Sequence, residues 1–191
     1  MAFMPLNVEY LKNFAGFKLT DDDMRNIVNP RFETLFHVQL KFAQAGSIAG
    51  YFGSRVYLGI QHLRKSTTPI KKGDNTAQQF LEKSCRASRN LMVAGFLVST
   101  PIFILHGNSK KVDAEGYFDR AYRIRYNEGQ CNVDRLSLAM GVFYGSIFAM
   151  TSRSFTLGFP KGLCWGTLLA AAYNNYAQAS RLKQSMKEQQ D

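Results

Sequence analysis

An all-α membrane protein with four transmembrane helices is the fold class that this sequence predicts. Four stretches contain no Asp, Glu, Lys or Arg, namely 42–54, 90–109, 136–152 and 162–180. Several of them, such as 91–105, are apolar around the whole circumference of a helix, whereas a surface helix of a soluble protein carries an apolar stripe. Charged residues gather at the edges of these stretches. The pattern favours lipid-facing helices, and a soluble bundle of buried helices stays the alternative architecture.

The composition limits the class of protein further. The chain has 191 residues, of which 46% are hydrophobic, and a formal net charge of +10. This length suits one domain, since a domain averages roughly 150 residues. So many apolar residues exclude a wholly disordered chain, and three scattered cysteines exclude a disulfide scaffold. The basic average alone suits a soluble nucleic-acid-binding domain, so the positions of the charges have to decide.

The lengths of the four stretches agree with membrane spans. They hold 13, 20, 17 and 19 residues. A helix crosses the hydrocarbon of a bilayer with roughly 17–25 residues, so the last three qualify directly. The first lies between Lys41 and Arg55, whose long side chains can reach the interface. We therefore predict that the first span covers residues 36–60.

Local signals predict where the helices begin. Thr20 followed by Asp23 resembles a capping box, which predicts a short helix. Asn29 can cap a long helix that begins at Pro30, because proline suits the first helical position. Thr76 can open the second long helix.

The second half of the chain continues the helical pattern. Residues 113–128 predict a short amphipathic helix, and Asn132 can cap the third long helix. The fourth long helix is expected to run to the tail. The chain is thus divided into an N-terminal extramembrane segment (1–35), a four-helix transmembrane domain (36–181) and a polar tail (182–191).

The distribution of Lys and Arg predicts the orientation in the membrane. The connection 61–89 has seven basic and two acidic residues, and the turn 153–161 has two basic and no acidic ones, so this side carries a net +7. Both termini and the connection 110–135 together carry a net +2. The positive-inside rule places the more basic loops on the matrix or cytoplasmic side. Both termini are then expected on the opposite side.

Glycines at helical spacing predict how the spans pack. In lipid the hydrophobic effect does not join helices, and glycine lets two backbones approach closely. Three of the four predicted spans carry a GxxxG pattern, which is typical of a tightly packed helix group. The candidate packing residues are Gly46, Gly50, Gly53, Gly141, Gly145, Gly158, Gly162 and Gly166.

The basic connection 61–89 predicts contact with anionic lipid. Each Lys or Arg near an anionic membrane surface contributes about 1 kcal/mol of binding. The connection has one aromatic residue, Phe80, whereas RNA-binding surfaces interleave aromatic and basic side chains, so no nucleic-acid partner is expected. A purely topological role of these charges stays open. The candidate head-group residues, for a lipid such as cardiolipin, are Arg64, Lys65, Lys71, Lys72, Arg86 and Arg89.

The segment from 120 to 135 mixes charges of both signs densely. Such charges can pair with one another or with a neighbouring protein, so the segment is a candidate contact surface; a solvated loop is the alternative. The candidate partner-binding residues are Arg120, Arg123, Arg125, Asp134 and Arg135.

Patterns for catalysis or metal binding are absent from the sequence. There is no G-x-S-x-G elbow, phosphate loop or GxGxxG turn, so we expect no enzyme activity and no cofactor. The three histidines lack the spacing of metal ligands, so we expect no metal and surface or interfacial histidines. The three cysteines, Cys85, Cys131 and Cys164, are expected to be free thiols.

In these features the chain resembles the mitochondrial inner-membrane preprotein translocase family, also called the preprotein and amino acid transporter family. The signature of that family runs from its second helix into its third and includes a loop Arg, an Asp and a GxxxG stretch. Here Asp134 precedes Gly141 and Gly145 with suitable spacing, and Gln130 occupies the position of the loop Arg.

Within that family the chain looks closest to the accessory subunit of respiratory complex I (NADH:ubiquinone oxidoreductase, alpha subcomplex) that shares the fold. The similar features are the small residues 47–50 followed by Arg55, and Arg153 in the short turn before a glycine-spaced helix that ends near Arg181. The resemblance covers residues 36–181, and the N-terminal 35 residues and the connection 61–89 are additions to the family pattern.

The resemblance implies a non-catalytic structural subunit of the mitochondrial inner membrane, with both termini facing the intermembrane space. Its expected partners are membrane-arm subunits of complex I, other respiratory complexes that it bridges to, and a phospholipid such as cardiolipin. A translocase subunit of the same family is the first alternative, and a soluble basic binding module is the second. A translocase is expected to have an acidic cavity in the membrane, whereas the four uncharged stretches contain no acidic residue.

Overall fold

The computed structural model describes residues 8–17, 19–65, 76–151 and 154–188. In this part of the chain the secondary structure is helical, with no strand, which confirms the predicted all-α class. In chain order the helices are α1 (Val8–Ala15), α2 (Asp21–Arg25), α3 (Pro30–Lys65), α4 (Thr76–Ser109), α5 (Ala114–Tyr126), α6 (Glu128–Met150) and α7 (Phe155–Glu188).

Most of the predicted helix starts are confirmed. The Thr20 side chain accepts from the backbone N–H of Asp23, and the Asp23 carboxylate accepts from the backbone of Thr20, so the capping box is formed. α3 begins at Pro30, as predicted, and α4 is described from Thr76 onward, with the preceding residues 66–75 outside the described part of the chain. α5 lies within the predicted amphipathic segment 113–128.

The predicted cap of the third long helix is wrong. α6 begins at Glu128, and the side chain of Asn127 accepts from the backbone N–H of Gln130, so Asn127 is the cap. Asn132 lies inside α6. The reason is that Asn127 ends α5 as well as starting α6, so the two helices meet at one residue without the longer loop that the prediction assumed.

The four long helices form two antiparallel hairpins. In the first, Gly46 of α3 lies against Leu91 of α4, and Gly50 lies against Ser88, so the paired numbers run in opposite directions. In the second hairpin Gly162 of α7 lies against the backbone of Met140 in α6. α7 also contacts both α3 and α4, which joins the two hairpins.

The short helices cover one end of this bundle. α1 packs on α6, α2 on α5 and α5 on α3. Tyr10 of α1 meets Phe36 of α3 edge-on, with ring centroids 6.1 Å apart, and Phe14 joins the same ring cluster. At the same end Tyr117 of α5 packs on Phe103 of α4, with ring centroids 5.6 Å apart.

Helix α4 has small and polar residues inside the bundle and most of its large apolar residues outside. The fully buried residues of α4 include Ser84, Ser88 and Ser99. On the same helix Leu97 is 64% exposed and Leu105 is 68% exposed. A soluble protein shows the opposite distribution, because burial of large apolar side chains drives its folding.

Two of the described helices are long and apolar enough to cross a membrane. They are α4, over Gln78–Ser109, whose most apolar 18-residue stretch has a mean hydropathy of 1.5, and α6, over Glu128–Met150, whose most apolar 18-residue stretch has a mean hydropathy of 1.2. Their apolar windows are mostly outside the protein interior, with 17% and 28% of the window residues buried. Membrane association through these two helices is therefore supported, whereas α3 and α7 do not reach the same hydropathy.

The uncharged stretches of paired helices are offset from one another along the bundle. Because Gly46 lies beside Leu91, the stretch 90–109 of α4 lies beside the N-terminal half of α3, which carries Glu33 and Lys41. Both of these side chains point toward other helices and are paired there. Arg31, in the first turn of α3, is exposed, so the inward direction applies to Glu33 and Lys41.

Candidate functional site

The contact between α3 and α4 depends on glycine from both helices. A Cβ added to Gly50 would lie 2.5 Å from the Cα of Ser88, and one added to Gly46 would lie 2.7 Å from the carbonyl carbon of Leu91. Real Cβ atoms essentially never approach backbone so closely. The hydroxyl of Ser88 donates to the carbonyl oxygen of Ser47 over 2.8 Å, which adds a hydrogen bond across the same contact.

Gly95 of α4 completes this contact and was not among the predicted residues. Its added Cβ would lie 2.5 Å from the carbonyl oxygen of Phe42. It has no glycine four residues away, so the GxxxG pattern missed it. A wider pattern of small residues would have found it, since Ser99 follows Gly95 by four.

The α6–α7 contact also depends on glycines that lie against backbone, and here α7 alone supplies them. The glycines of α7 touch the backbone of α6: an added Cβ at Gly162 would lie 2.6 Å from the carbonyl carbon of Met140, and one at Gly166 would lie 2.6 Å from the Cα of Ser137. Gly158 lies against the carbonyl oxygen of Tyr144 in the same way. Three turns of α7 therefore have no room for a side chain on this face.

The glycines of α6 have a different role. An added Cβ at Gly141 would lie 3.0 Å from the ring of Phe159, and one at Gly145 would lie 2.5 Å from the ring of Phe155. The nearest atoms of α7 to these added Cβ positions thus belong to aromatic rings and not to backbone. The prediction that Gly53 packs against a helix is wrong, because nothing described lies within 4 Å of its added Cβ and the residue is exposed.

A buried ion pair joins α3 to α5. Arg125 is 1% exposed and Glu33 is 2% exposed. Arg125 donates from Nε to one carboxylate oxygen of Glu33 over 2.9 Å and from Nη2 to the other over 2.6 Å. Its Nη1 donates to carbonyl oxygens at the end of α2, including that of Asp23 over 2.9 Å. One arginine thus connects three helices.

A second buried polar cluster joins α3 to α6 around Asp134. Its carboxylate accepts from Lys41, from Gln44 over 2.9 Å and from Nδ1 of His37 over 3.2 Å. Gln44 also donates to the hydroxyl of Ser137 over 2.8 Å. The three α3 residues, together with Glu33, recur every three to four residues, so they lie on one face of α3. His37 is therefore an internal residue and not the surface or interfacial histidine that was expected.

Three of the predicted partner-binding residues are used inside the chain. Arg125 and Asp134 are buried and paired as described. Arg135 donates to the carbonyl oxygens of Phe14 and Asn13 at the end of α1, both over 3.2 Å. Arg125 and Asp134 are therefore not on the surface for a neighbouring protein to bind, because α1, α2 and α3 cover them; Arg135 is half-buried, and its binding to a partner stays a prediction.

The remaining candidates of that segment lie on α5. Arg123 is exposed and pairs with Asp119 at 3.0 Å, one helical turn away. Arg120 is half-buried. These two residues stay candidates for contact with a partner.

Tyr10 faces both polar clusters from α1 and stays protonated. Its side chain is buried, 5% exposed. Burial raises its pKa above the ordinary tyrosine value, and the carboxylates of Asp134 and Glu33 raise it further. Its hydroxyl is therefore neutral at physiological pH, and it adds no charge to the cluster.

The basic candidates for lipid contact lie at the opposite end of the bundle. Arg64 is exposed near the end of α3. Arg86 is exposed and pairs with Glu82 at 2.5 Å, and Arg89 donates to the side chain of Asn90 over 3.3 Å. Lys71, Lys72 and the side chain of Lys65 lie outside the described residues.

The three cysteines form no disulfide, as expected, with Cys85 and Cys164 buried and Cys131 partly buried. Within the described ranges no group of three His, Cys, Asp or Glu side chains is placed to hold a metal ion. The polar residues that the fold brings together are thus ion pairs and hydrogen bonds between helices.

The model of a family described as a protein of unknown function (DUF1757) matches residues 10–176, which is most of the chain, so the chain belongs to that family. No curated protein matches the chain.

Proposed function

We propose that this member of the DUF1757 family is a four-span integral membrane protein with a structural, non-catalytic role. The observation that carries the proposal is the distribution of side chains: serine and glycine are buried between the helices, whereas Leu97, Leu105 and Met150 are 64%, 68% and 85% exposed. Large apolar side chains on the outside are stable in hydrocarbon and costly in water.

The inward direction of the charges supports α3 and α7 as further spans. Charges within membrane helices face the protein interior and pair with one another. Glu33 and Lys41 of α3 meet Arg125 and Asp134, and Lys161 of α7 lies 5.0 Å from the ring centroid of Tyr144. The hydropathy of a sequence counts these charges in full, although none of them has to contact lipid.

The helix lengths support the same proposal. The long helices have 36, 34, 23 and 34 residues. At about 1.5 Å per residue the shortest exceeds the roughly 30 Å of a hydrocarbon core. All four can therefore cross, with the short helices α1, α2 and α5 at the end that carries both described ends of the chain.

The proposed setting is the mitochondrial inner membrane, as an accessory subunit of respiratory complex I. This part rests on the resemblance to the complex I member of the translocase family. In this role the outward apolar faces of α4 and α6 contact membrane-arm subunits and lipid, and the protein stabilises the assembly without chemistry of its own. Both termini face the intermembrane space in this proposal.

The pairing of the buried acids favours this role over a translocase. A translocase needs a polar path for a precursor, with acidic groups open to it. Glu33 is 2% exposed and Asp134 is 4% exposed, and both are engaged by basic side chains of the same chain. Neither lines an open path.

Carbonate extraction tests the membrane part of the proposal. We expect the protein in the pellet after alkaline carbonate treatment of isolated membranes, because several spans resist extraction. The stronger test attaches a tag to either terminus and digests intact mitoplasts, in which protease reaches the intermembrane-space side. Release by carbonate would overturn the membrane proposal and favour a soluble basic module.

Native-gel separation tests the assembly. Mitochondria solubilised in mild detergent are separated and the protein is detected together with markers of complex I and of the translocase. We expect migration with complex I, and loss of the protein should lower the amount of assembled complex I. Migration with the translocase, and not with complex I, would overturn the assignment while leaving the four-span fold intact.

A further inference from the structure

Arg55 has a polar atom that the chain leaves unsatisfied. Among the described residues its Nε is the one buried side-chain nitrogen or oxygen without a hydrogen-bond partner. None of the ion pairs in the described part of the chain includes Arg55. Buried donors are almost always paired, so the guanidinium of Arg55 is not fully satisfied by the described part of the chain.

Aromatic contacts hold this arginine in place. The guanidinium carbon lies 4.5 Å from the ring centroid of Tyr51, which fixes it over the ring face. Trp165 of α7 lies 6.3 Å from Tyr51 and 5.8 Å from Phe52, measured between ring centroids. Phe52 is 36% exposed, so the cluster reaches the outer surface of the bundle. Aromatic side chains gather in this way where a membrane protein meets the head-group level.

The position along the bundle is that of the basic end. Gly50 lies beside Ser88 in the antiparallel hairpin, so Arg55, about one turn further along α3, lies level with Lys83 and Arg86 of α4. The nearby carboxylate of Glu82 is already bonded to Arg86 at 2.5 Å. Positive charge therefore exceeds negative charge at this level.

We propose that Arg55 binds the phosphate of an anionic phospholipid, with the acyl chains lying over Phe52 and Trp165. The side chain of Arg55 is half-buried, and the outer nitrogens of its guanidinium offer N–H donors in a fork that matches two phosphate oxygens through charge-assisted bonds. The apolar rings beside it select a lipid over a free phosphate ion. This proposal rests on the proposed membrane location, and it adds a specific head-group site to the general basic surface.

The single tryptophan provides a direct measurement. Trp165 is the one Trp of the chain and belongs to the ring cluster. The full chain, purified in a neutral detergent, is titrated with phosphatidylglycerol whose acyl chains carry bromine, which quenches nearby tryptophan. We expect saturable quenching, and Arg55→Gln should weaken the apparent affinity about tenfold, the loss of one charge-assisted contact. Arg55→Lys should fall between the two, because an ammonium keeps the charge and loses the fork.

The matched control is Arg181→Gln. Arg181 is exposed on α7 near its C-terminal end, away from the ring cluster, so its loss changes net charge equally and should leave the titration unchanged. Brominated phosphatidylcholine should quench at least tenfold more weakly than phosphatidylglycerol. Inorganic phosphate, added up to the concentration of the lipid, should not displace phosphatidylglycerol and should leave the quenching unchanged.

Several outcomes would overturn the proposal. They are equal affinity of Arg55→Gln and the unchanged chain, equal loss in Arg181→Gln, equal quenching by phosphatidylcholine, and displacement by inorganic phosphate, which would assign a free-phosphate site. Asp74 belongs to the connection 66–75, outside the described residues. If Asp74→Asn changed the lipid affinity as much as Arg55→Gln, the acceptor of Arg55 would be this carboxylate and not the lipid. If Arg55→Gln loses helicity by circular dichroism, Arg55→Lys decides in its place. Carbonate extraction reports separately on the membrane location, so the two proposals can fail independently.

Discussion

The contacts within each hairpin and the contacts between the hairpins are made from different residues. Within the hairpins, glycine and serine bring backbones together, as at Gly50 and Ser88. Between them, buried charges meet, as at Lys41 and Asp134. A glycine contact depends on shape along a whole helix, whereas an ion pair depends on two named partners in one register. The comparison suggests that glycine sets how closely two helices pack and that charge sets which helices are neighbours.

The largest effect is expected from a broken charge contact. Arg125→Met removes the guanidinium and leaves Glu33 buried without its partner, so the free energy of unfolding should fall by about 3–5 kcal/mol. Thermal unfolding in detergent, followed by far-ultraviolet circular dichroism, measures the change. The double variant Glu33→Gln with Arg125→Met should recover most of the loss. A double variant as unstable as the single one would mean that the contact to the end of α2 matters more than the charge.

A glycine at a backbone contact should come next. Gly162→Ala places a methyl group against the backbone of Met140, which cannot move aside as a side chain can. Such overpacking is expected to cost about 1–3 kcal/mol. The same unfolding measurement checks it, and no change would show that α6 and α7 can separate slightly without loss.

The serine bond across the first hairpin should contribute less. Ser88→Ala keeps the small volume and removes the hydroxyl that donates to the carbonyl oxygen of Ser47, so the expected loss is about 1 kcal/mol. Ser180→Ala, an exposed serine of α7, is the control and should change little. If Ser88→Ala lowered the free energy of unfolding more than Gly162→Ala, the hydrogen bond would contribute more to stability than the close fit of the helices.

Substitution of Gly53, which lies outside the helix contacts, should raise the stability of the protein. Gly53→Ala adds a methyl group where nothing described lies within 4 Å and raises helix propensity, so stability should increase by about 1 kcal/mol. A decrease would indicate a neighbour for Gly53 beyond the described residues.

The smallest change in stability is expected at Gly141, which packs against an aromatic ring and not against backbone. In Gly141→Ala the added methyl group would lie 3.0 Å from the ring of Phe159, which can turn away. The gain in helix propensity of about 1 kcal/mol offsets the cost of that movement, so the net change should stay close to zero. A loss equal to that of Gly162→Ala would show that the two glycine roles do not differ in energy.

Local sequence signals predicted the helices well and their contacts in part. Thr20 and Pro30 mark helix starts because capping and proline geometry involve residues a few positions apart. Asn132 misled for the same reason: its type suits a cap, but Asn127 had already filled that role. The spacing of Gly46 and Gly50 identified a contact, whereas Gly95 needed the position of Phe42 on another helix to be recognised.

Charge was the least predictable property. In the sequence, Arg125, Asp134 and Arg135 belong to one mixed segment that suits a partner surface. In the structure Arg125 binds α3 and the end of α2, Asp134 binds α3, and Arg135 binds the end of α1. The partners Arg125 and Glu33 are more than 90 residues apart along the chain, and so are Asp134 and Lys41. A single sequence contains no signal for such distant pairing, because complementary charge is common and any of several partners would fit.

By itself the sequence determined that this protein is helical, where most of its helices begin, that its uncharged stretches are long, and that basic residues are concentrated in particular connections. These follow from backbone geometry and from the short range of propensity and capping. Only the tertiary structure decided which glycines meet backbone and which meet rings, and it alone turned Glu33 and Lys41 of α3 inward and most large apolar residues of α4 outward. Those outcomes depend on which helix faces which, and that is settled by the fit of whole helix surfaces.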